Sequence, residues 1–162
     1  MMALAFLAIA HAQVPVAVAA APLLAETAEH PEARPFDPKA DAKAQVDAAL
    51  ARAHATDRRA IIVMGANWCH DSRALAGWFG TPRFAGMIAA RYELVYVDVG
   101  YRDRNIDIAR RFGLKSFKGT PTVLIVDAMG RLRNRKDARR WHNAASQDED
   151  TIYRYFAEFT GS

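Results

Sequence analysis

A single cysteine stands among 162 residues, and that scarcity excludes more than any other feature of the chain. No disulfide framework can close within it, and no cysteine-based zinc cluster can be assembled. The five histidines, at positions 11, 30, 54, 70 and 142, show no metal-ligand spacing, so no metal site is expected. Internal repeats are absent, and the length suits one sizeable core rather than two ordinary domains. The formal charge is only +4. Much of it lies in Arg131, Arg133, Arg135, Lys136, Arg139 and Arg140. That run could attract an acidic partner or anionic lipid headgroups, but with no interleaved aromatics it reads as a solvated hairpin and its exit loop, and no nucleic-acid partner is expected.

Charge is also missing from the N-terminus, where nothing ionised precedes Glu26. Residues 3–10 form an apolar core followed by Ala10-His11-Ala12, a small-x-small cleavage pattern. Residues 1–12 therefore read as a signal peptide, with a periplasmic or otherwise extracytoplasmic destination. The alternative is an uncleaved anchor, the only membrane contact expected, since the uncharged stretch approaches the ~20 residues that span a bilayer; Pro15 and Pro22 interrupt it. Residues 13–38, rich in Ala and carrying Pro15, Pro22, Pro31, Pro35 and Pro38, read as a linker. The folded domain is expected over 39–162. One leftover cysteine in an exported chain points to intermolecular pairing or a reactive thiol.

Within the domain, periodicity and punctuation give the order αβαβαββα. A first helix after Pro38 carries Val46, Ala49, Leu50 and Ala53 on one face. The apolar run Ala60-Ile61-Ile62-Val63-Met64 is a buried strand, and Leu75, Trp78 and Phe79 follow at helical spacing. Gly80-Thr81-Pro82 breaks and restarts that helix, with Thr81 as cap and Pro82 opening the new segment. Residues 93–99 make the next strand, and a helix from about Arg104 to Phe112 is stopped by Gly113. After Pro121 a strand turns at 127–130 into a basic edge strand. Ser146-x-x-Glu149 has the form of a capping box for a last helix presenting Ile152, Tyr155, Phe156 and Phe159.

The lone cysteine falls where a strand gives way to a helix, in Trp68-Cys69-His70-Asp71-Ser72. Unsatisfied N–H groups and the positive end of the helix dipole favour an anion there, so the thiolate is stabilised and becomes a nucleophile for disulfide exchange. A duller reading is a small buried hydrophobe, because free cysteines are among the most buried residue types. His70, if protonated, would favour the thiolate further; Asp71 opposes it but suits a helix start. The Ser72 hydroxyl can donate to the thiolate or simply cap the first turn.

This strand, Trp-Cys-x-x-Ser turn and helix resemble the active site of the thioredoxin family, and Gly119-Thr120-Pro121-Thr122 before the strand at 123–126 strengthens the match. The resemblance covers residues 40 to 160, and it looks closest to exported thioredoxin-like domains. It implies an α/β thioredoxin-like fold, a central mixed β-sheet flanked by helices on both faces, and no cofactor. It also implies that Pro121 is a cis-proline packed against the cysteine. Thr120 before it would pair with an extended substrate, and Trp68 would shield the site.

Two departures shape the expected chemistry. The family's second cysteine is Ser72 here, and its buried acid in the preceding strand is Val63. Cys69 and Ser72 are thus the candidate catalytic residues, with Trp68, His70, Thr120 and Pro121 as candidate substrate contacts. Cys69 would attack a substrate disulfide, and release would need another thiol. A thiol on the substrate protein gives isomerisation; a small thiol such as glutathione, or a partner protein, gives reduction. Net oxidation by this chain alone is excluded. The alternative function is a redox-silent module that uses the same groove to hold peptides or a partner, since fold alone does not decide activity.

Overall fold

Two-residue alternation along one central strand decides the architecture. In the computed structural model, which describes residues 30–159, the strand β1 (Arg59–Gly65) is buried on both sides. The expected signal peptide and the first part of the expected linker, residues 13–29, lie outside the described residues. Ile62 and Met64 of β1 join one apolar cluster, whereas Ile61 and Val63 join the other. A central strand between two helical layers shows this pattern, because successive side chains leave opposite faces of a sheet.

The neighbours of β1 follow from the same rule. β2 (Tyr92–Asp98) pairs with it in parallel from Arg59↔Tyr92 to Gly65↔Asp98. β3 (Thr122–Val126) pairs antiparallel from Ala60↔Val126 to Met64↔Thr122. The mixed sheet therefore has the order β2-β1-β3. Helices α1 (Ala42–Ala55) and α4 (Ile106–Arg111) cover one face. Helices α2 (His70–Gly80), α3 (Pro82–Arg91) and α5 (Glu149–Ala157) cover the other. This is the expected α/β architecture with helices on both faces. Among the described residues no helix is long and apolar enough to cross a membrane.

Local chemistry sets the helix ends. Asp41 caps α1 by accepting from the Ala44 N–H at 3.0 Å, leaving Val46, Ala49 and Ala53 on the buried face. Pro82 occupies the first turn of α3, as its fixed φ favours. Thr81 precedes it without a side-chain cap, because its hydroxyl donates backwards to the Trp78 carbonyl at 2.9 Å. The cap of α5 is Asp148, which accepts from Thr151 N–H at 2.7 Å, and not the expected Ser146. Ser146 ends a short 3-10 turn, Ala144–Ser146, and the carboxylate two residues on takes the capping position.

Two segments depart from the sequence reading. The expected basic edge strand after β3 is reduced to one bridge, Val126↔Leu132. Asn134 explains why. Its Oδ1 accepts from Ile125 N–H at 2.8 Å and its Nδ2 donates to the Val123 carbonyl at 2.9 Å. The carboxamide thus occupies two ladder positions that a fourth strand would have used. The basic run around it is largely engaged within the chain. Arg131 and Arg133 reach Asp127 at 2.9 and 3.3 Å. Arg135 donates to the Phe112 and Gly113 carbonyls at the end of α4.

The second departure is residues 30–38, the end of the expected linker, which form a strap packed on the domain. Phe36 is fully buried and meets Tyr96 edge-on at 5.4 Å. The Asn67 side chain accepts from Phe36 N–H at 3.2 Å and donates to its carbonyl at 2.8 Å. Ala33 N–H donates to the Arg73 carbonyl at 3.1 Å. Gly77 makes room for the strap: a Cβ there would sit 2.1 Å from the Pro31 carbonyl oxygen.

Candidate active site

The ends of β1 and β2 and the start of β3 lie at one edge of the sheet, and there the candidate residues converge. Cys69 is the N-cap residue of α2, in extended conformation at φ −83° and ψ 120°. Its N–H donates to the Ala66 carbonyl and its own carbonyl accepts from Arg73 N–H, both at 3.1 Å. The side chain is buried, 8% exposed, and Sγ donates to the Thr120 carbonyl at 3.5 Å. The Thr120–Pro121 peptide bond is cis. Cys69, Thr120 and Pro121 are therefore brought together across 50 residues of sequence, with the thiol facing the backbone just before β3.

Ser72 is placed differently from the sequence expectation. It is fully buried, and its hydroxyl has no hydrogen-bond partner among the described residues. It does not donate to Cys69, nor does it cap the first turn. The hydroxyl lies instead over Gly65 at the end of β1, where a Cβ would be 2.7 Å from Oγ. Val63 is fully buried in the apolar cluster beneath α2.

Trp68 is 45% exposed, and its Nε1 donates to the Gly100 carbonyl at 2.8 Å. Its ring stacks on Tyr101, with centroids 5.8 Å apart and planes 13° from parallel. Tyr101 is 80% exposed, so the pair presents an aromatic shelf beside the thiol. His70 points outward from the first turn of α2, with Nε2 3.3 Å from Glu32 Oε1 and its ring 4.7 Å from that of His30.

Several residues that organise this site carry no local sequence signal. The Arg73 guanidinium donates to the Asn67 and Trp68 carbonyls at 3.2 and 3.1 Å, fixing the turn that delivers Cys69. The same guanidinium pairs with Glu32 at 2.9 Å and holds its carboxyl below the usual carboxylate range. Asp71 accepts from Ala145 N–H at 3.0 Å, tying the start of α2 to the 3-10 turn. His142 lies against Gly119, where a Cβ would meet its Cε1 at 2.8 Å. Burial pushes the imidazole below its ordinary pKa, with Arg139 acting in the same sense. Its Nε2 has no hydrogen-bond partner among the described residues.

This arrangement suits thiol chemistry. A thiol sits at a helix N-terminus, beside a backbone carbonyl at the mouth of a strand, and the residue before it carries exposed aromatic surface. Ligand-type side chains also gather at its rim, where His30, Glu32 and His70 place one ligand atom each within 4.8 Å of one another.

Comparison with known proteins agrees with this fold. A thioredoxin-like family model matches residues 41–128. The chain is similar to the crystal structure of a disulphide isomerase from Xylella fastidiosa Temecula1, at 35% identity and a TM-score of 0.74, covering 79% of this chain and 98% of that one. A protein of unknown function from Pseudomonas aeruginosa also aligns, at 16% identity and a TM-score of 0.39, over 69% of this chain and 80% of that one. That second likeness is too distant to carry an argument. No curated protein matches significantly. With over half of the sequence matched by the family model, and the fold in agreement with it, the chain belongs to the thioredoxin-like family.

Proposed function

We propose that this protein is an extracytoplasmic thiol-disulfide exchange protein that works through one nucleophilic cysteine. The observation that carries the reading is the position of Cys69, capping α2 and facing the Thr120 carbonyl, with no second thiol in the chain. The name of the similar Xylella structure, a disulphide isomerase, supports the same chemistry. The uncharged apolar N-terminus supports the location.

In the proposed reaction the Cys69 thiolate attacks one sulfur of a substrate disulfide. A bond forms between Cys69 Sγ and that sulfur, the substrate S–S bond breaks, and the other substrate sulfur leaves as a thiolate. A second thiol then attacks the mixed disulfide and returns Cys69 as a thiolate. When that thiol belongs to the substrate the outcome is isomerisation; when it comes from glutathione or a partner protein the substrate is left as a mixed disulfide with it, and attack by one more such thiol completes the reduction, with glutathione disulfide or the partner's disulfide as the oxidised product. The Trp68–Tyr101 shelf and the backbone at Thr120 would receive the substrate segment.

One observation favours the rival reading, a redox-silent binding module: Cys69 is only 8% exposed, with its Sγ occupied by Thr120. Incubation with a disulfide-containing client, acid quench and non-reducing electrophoresis separate the two. Exchange predicts a covalent adduct that vanishes in Cys69→Ser. Client binding without any adduct, unchanged by Cys69→Ser, would establish the binding module instead.

A further inference from the structure

We propose that His30, Glu32 and His70 form a binding site for a borderline divalent transition ion of the Zn²⁺ type, at the rim of the candidate active site. The three ligand atoms lie within 4.8 Å of one another. At metal–ligand distances near 2.0–2.1 Å, tetrahedral ligands stand about 3.3 Å apart. The edge between His70 Nε2 and Glu32 Oε1 is 3.3 Å in this structure. Only His30 has to close in, and its ring is already 4.7 Å from that of His70 between centroids.

The donor set selects the ion. Two imidazoles and one carboxylate suit Zn²⁺ and its neighbours, whereas calcium and magnesium want all-oxygen shells and Cu(I) wants thiolates or thioethers. Three protein ligands also leave a fourth position for water or an exogenous group.

Two further features suit a metal. Glu32 Oε2 accepts from Arg73 Nε at 2.9 Å, while Oε1, also 3.3 Å from Arg73 Nη2, is the oxygen that faces His70. Arg73 thereby holds both carboxylate oxygens, Oε2 at the shorter distance, while Oε1 also faces the site; metal-ligating carboxylates are usually held by such an outer partner. The ligands are also pre-positioned. Residues 30 and 32 sit on the strap, which Ala33, Phe36 and the gap at Gly77 fix against α2. A bound ion would fasten that strap to the first turn of α2, one residue from Cys69.

Isothermal titration of the untagged full chain with Zn²⁺ alone, near neutral pH, tests this directly. The expected result is one ion per chain, with binding weakened in each of His30→Ala, Glu32→Gln and His70→Ala by more than the ~10–100-fold that loss of a ligand's outer partner costs. Cys69→Ser should bind as the wild type does. The three ligands are at the surface, so circular dichroism is expected to show each variant folded. Absence of binding would overturn the proposal, as would binding that survives His30→Ala and Glu32→Gln. Binding lost in Cys69→Ser but kept in the three ligand variants would overturn it in favour of a thiolate-held ion. Since none of these measurements involves disulfide exchange, the exchange reading stands or falls separately.

Discussion

Replacing Gly77 by alanine sets two effects of opposite sign against each other. In an open helix interior the change is favourable by about 0.8–1.0 kcal/mol, because alanine loses less backbone entropy than glycine. Gly86 in α3 is such a position, with nothing within 4 Å of an added Cβ. At Gly77 the same methyl would lie 2.1 Å from the Pro31 oxygen, 2.3 Å from the Pro31 carbonyl carbon and 2.6 Å from Glu32 N. These are backbone atoms, so the strap must retreat. Retreat breaks the bond from Ala33 N–H to the Arg73 carbonyl, worth about 0.5–1.5 kcal/mol. It also loosens Phe36, whose full burial contributes about 1.5–3 kcal/mol. The strap outweighs the helix, and Gly77→Ala is expected to destabilise by about 1–3 kcal/mol while Gly86→Ala stabilises by about 1. Urea unfolding of both variants beside the wild type measures the difference, and hydrogen exchange at the Ala33 amide reports the strap itself. Equal stabilisation by the two substitutions, with Ala33 protection unchanged, would refute the claim that Gly77 seats the strap.

Three further outcomes are expected. Asn134→Leu strands the Ile125 N–H and the Val123 carbonyl, at about 1–3 kcal/mol each, and should lower the urea midpoint with little change in slope; a loss under 1 kcal/mol would mean that other groups satisfy them. Ser72→Cys puts a second thiol in the first turn of α2, three residues after the N-cap Cys69, and a disulfide needs Cα atoms ~4.4–6.8 Å apart; thiol titration after oxidation should find neither thiol free, and two persistent thiols would show that the side chains do not meet. For His142, folding lowers the imidazole pKa below the ordinary 6.5, so the unfolded chain takes up a proton that the folded chain resists and stability falls as pH drops below that value. His142→Gln should flatten this part of the melting-temperature profile; identical slopes above and below pH 6.5 in both proteins would show that the ring titrates freely.

The sheet and most helices were legible because their signals are local. The apolar run of β1, the apolar spacing of Val46, Ala49 and Ala53, and Pro82 at a helix start each need only a short window. Cys69 at a helix N-terminus was readable for the same reason. What escaped depends on partners far away in the chain. Phe36 is one aromatic among prolines, and only the distant Asn67 and Tyr96 make it core. Arg73 looks like any exposed helix residue until the turn at Asn67 and Trp68 folds under it. His30 and His70 are 40 positions apart, so no spacing rule could join them. Asp148 displaced Ser146 as cap because both fit the pattern, and the choice between neighbouring candidates is made by the backbone around them.

The carboxamide of Asn134 has one more effect, on how molecules of this protein meet each other. A bare outer strand offers a row of unpaired N–H and C=O groups, a template on which another chain can add and begin aggregation. Along β3 that row is already occupied. Val123 N–H reaches Ala138, Val123 carbonyl and Ile125 N–H are held by Asn134, Ile125 carbonyl accepts from Arg133, and Asp127 N–H goes to Arg131. Many proteins guard such an edge with charge or proline; here one side chain and a returning loop complete the row. A polar residue that looks incidental in a basic stretch therefore keeps this edge of the sheet closed to strand addition by another molecule.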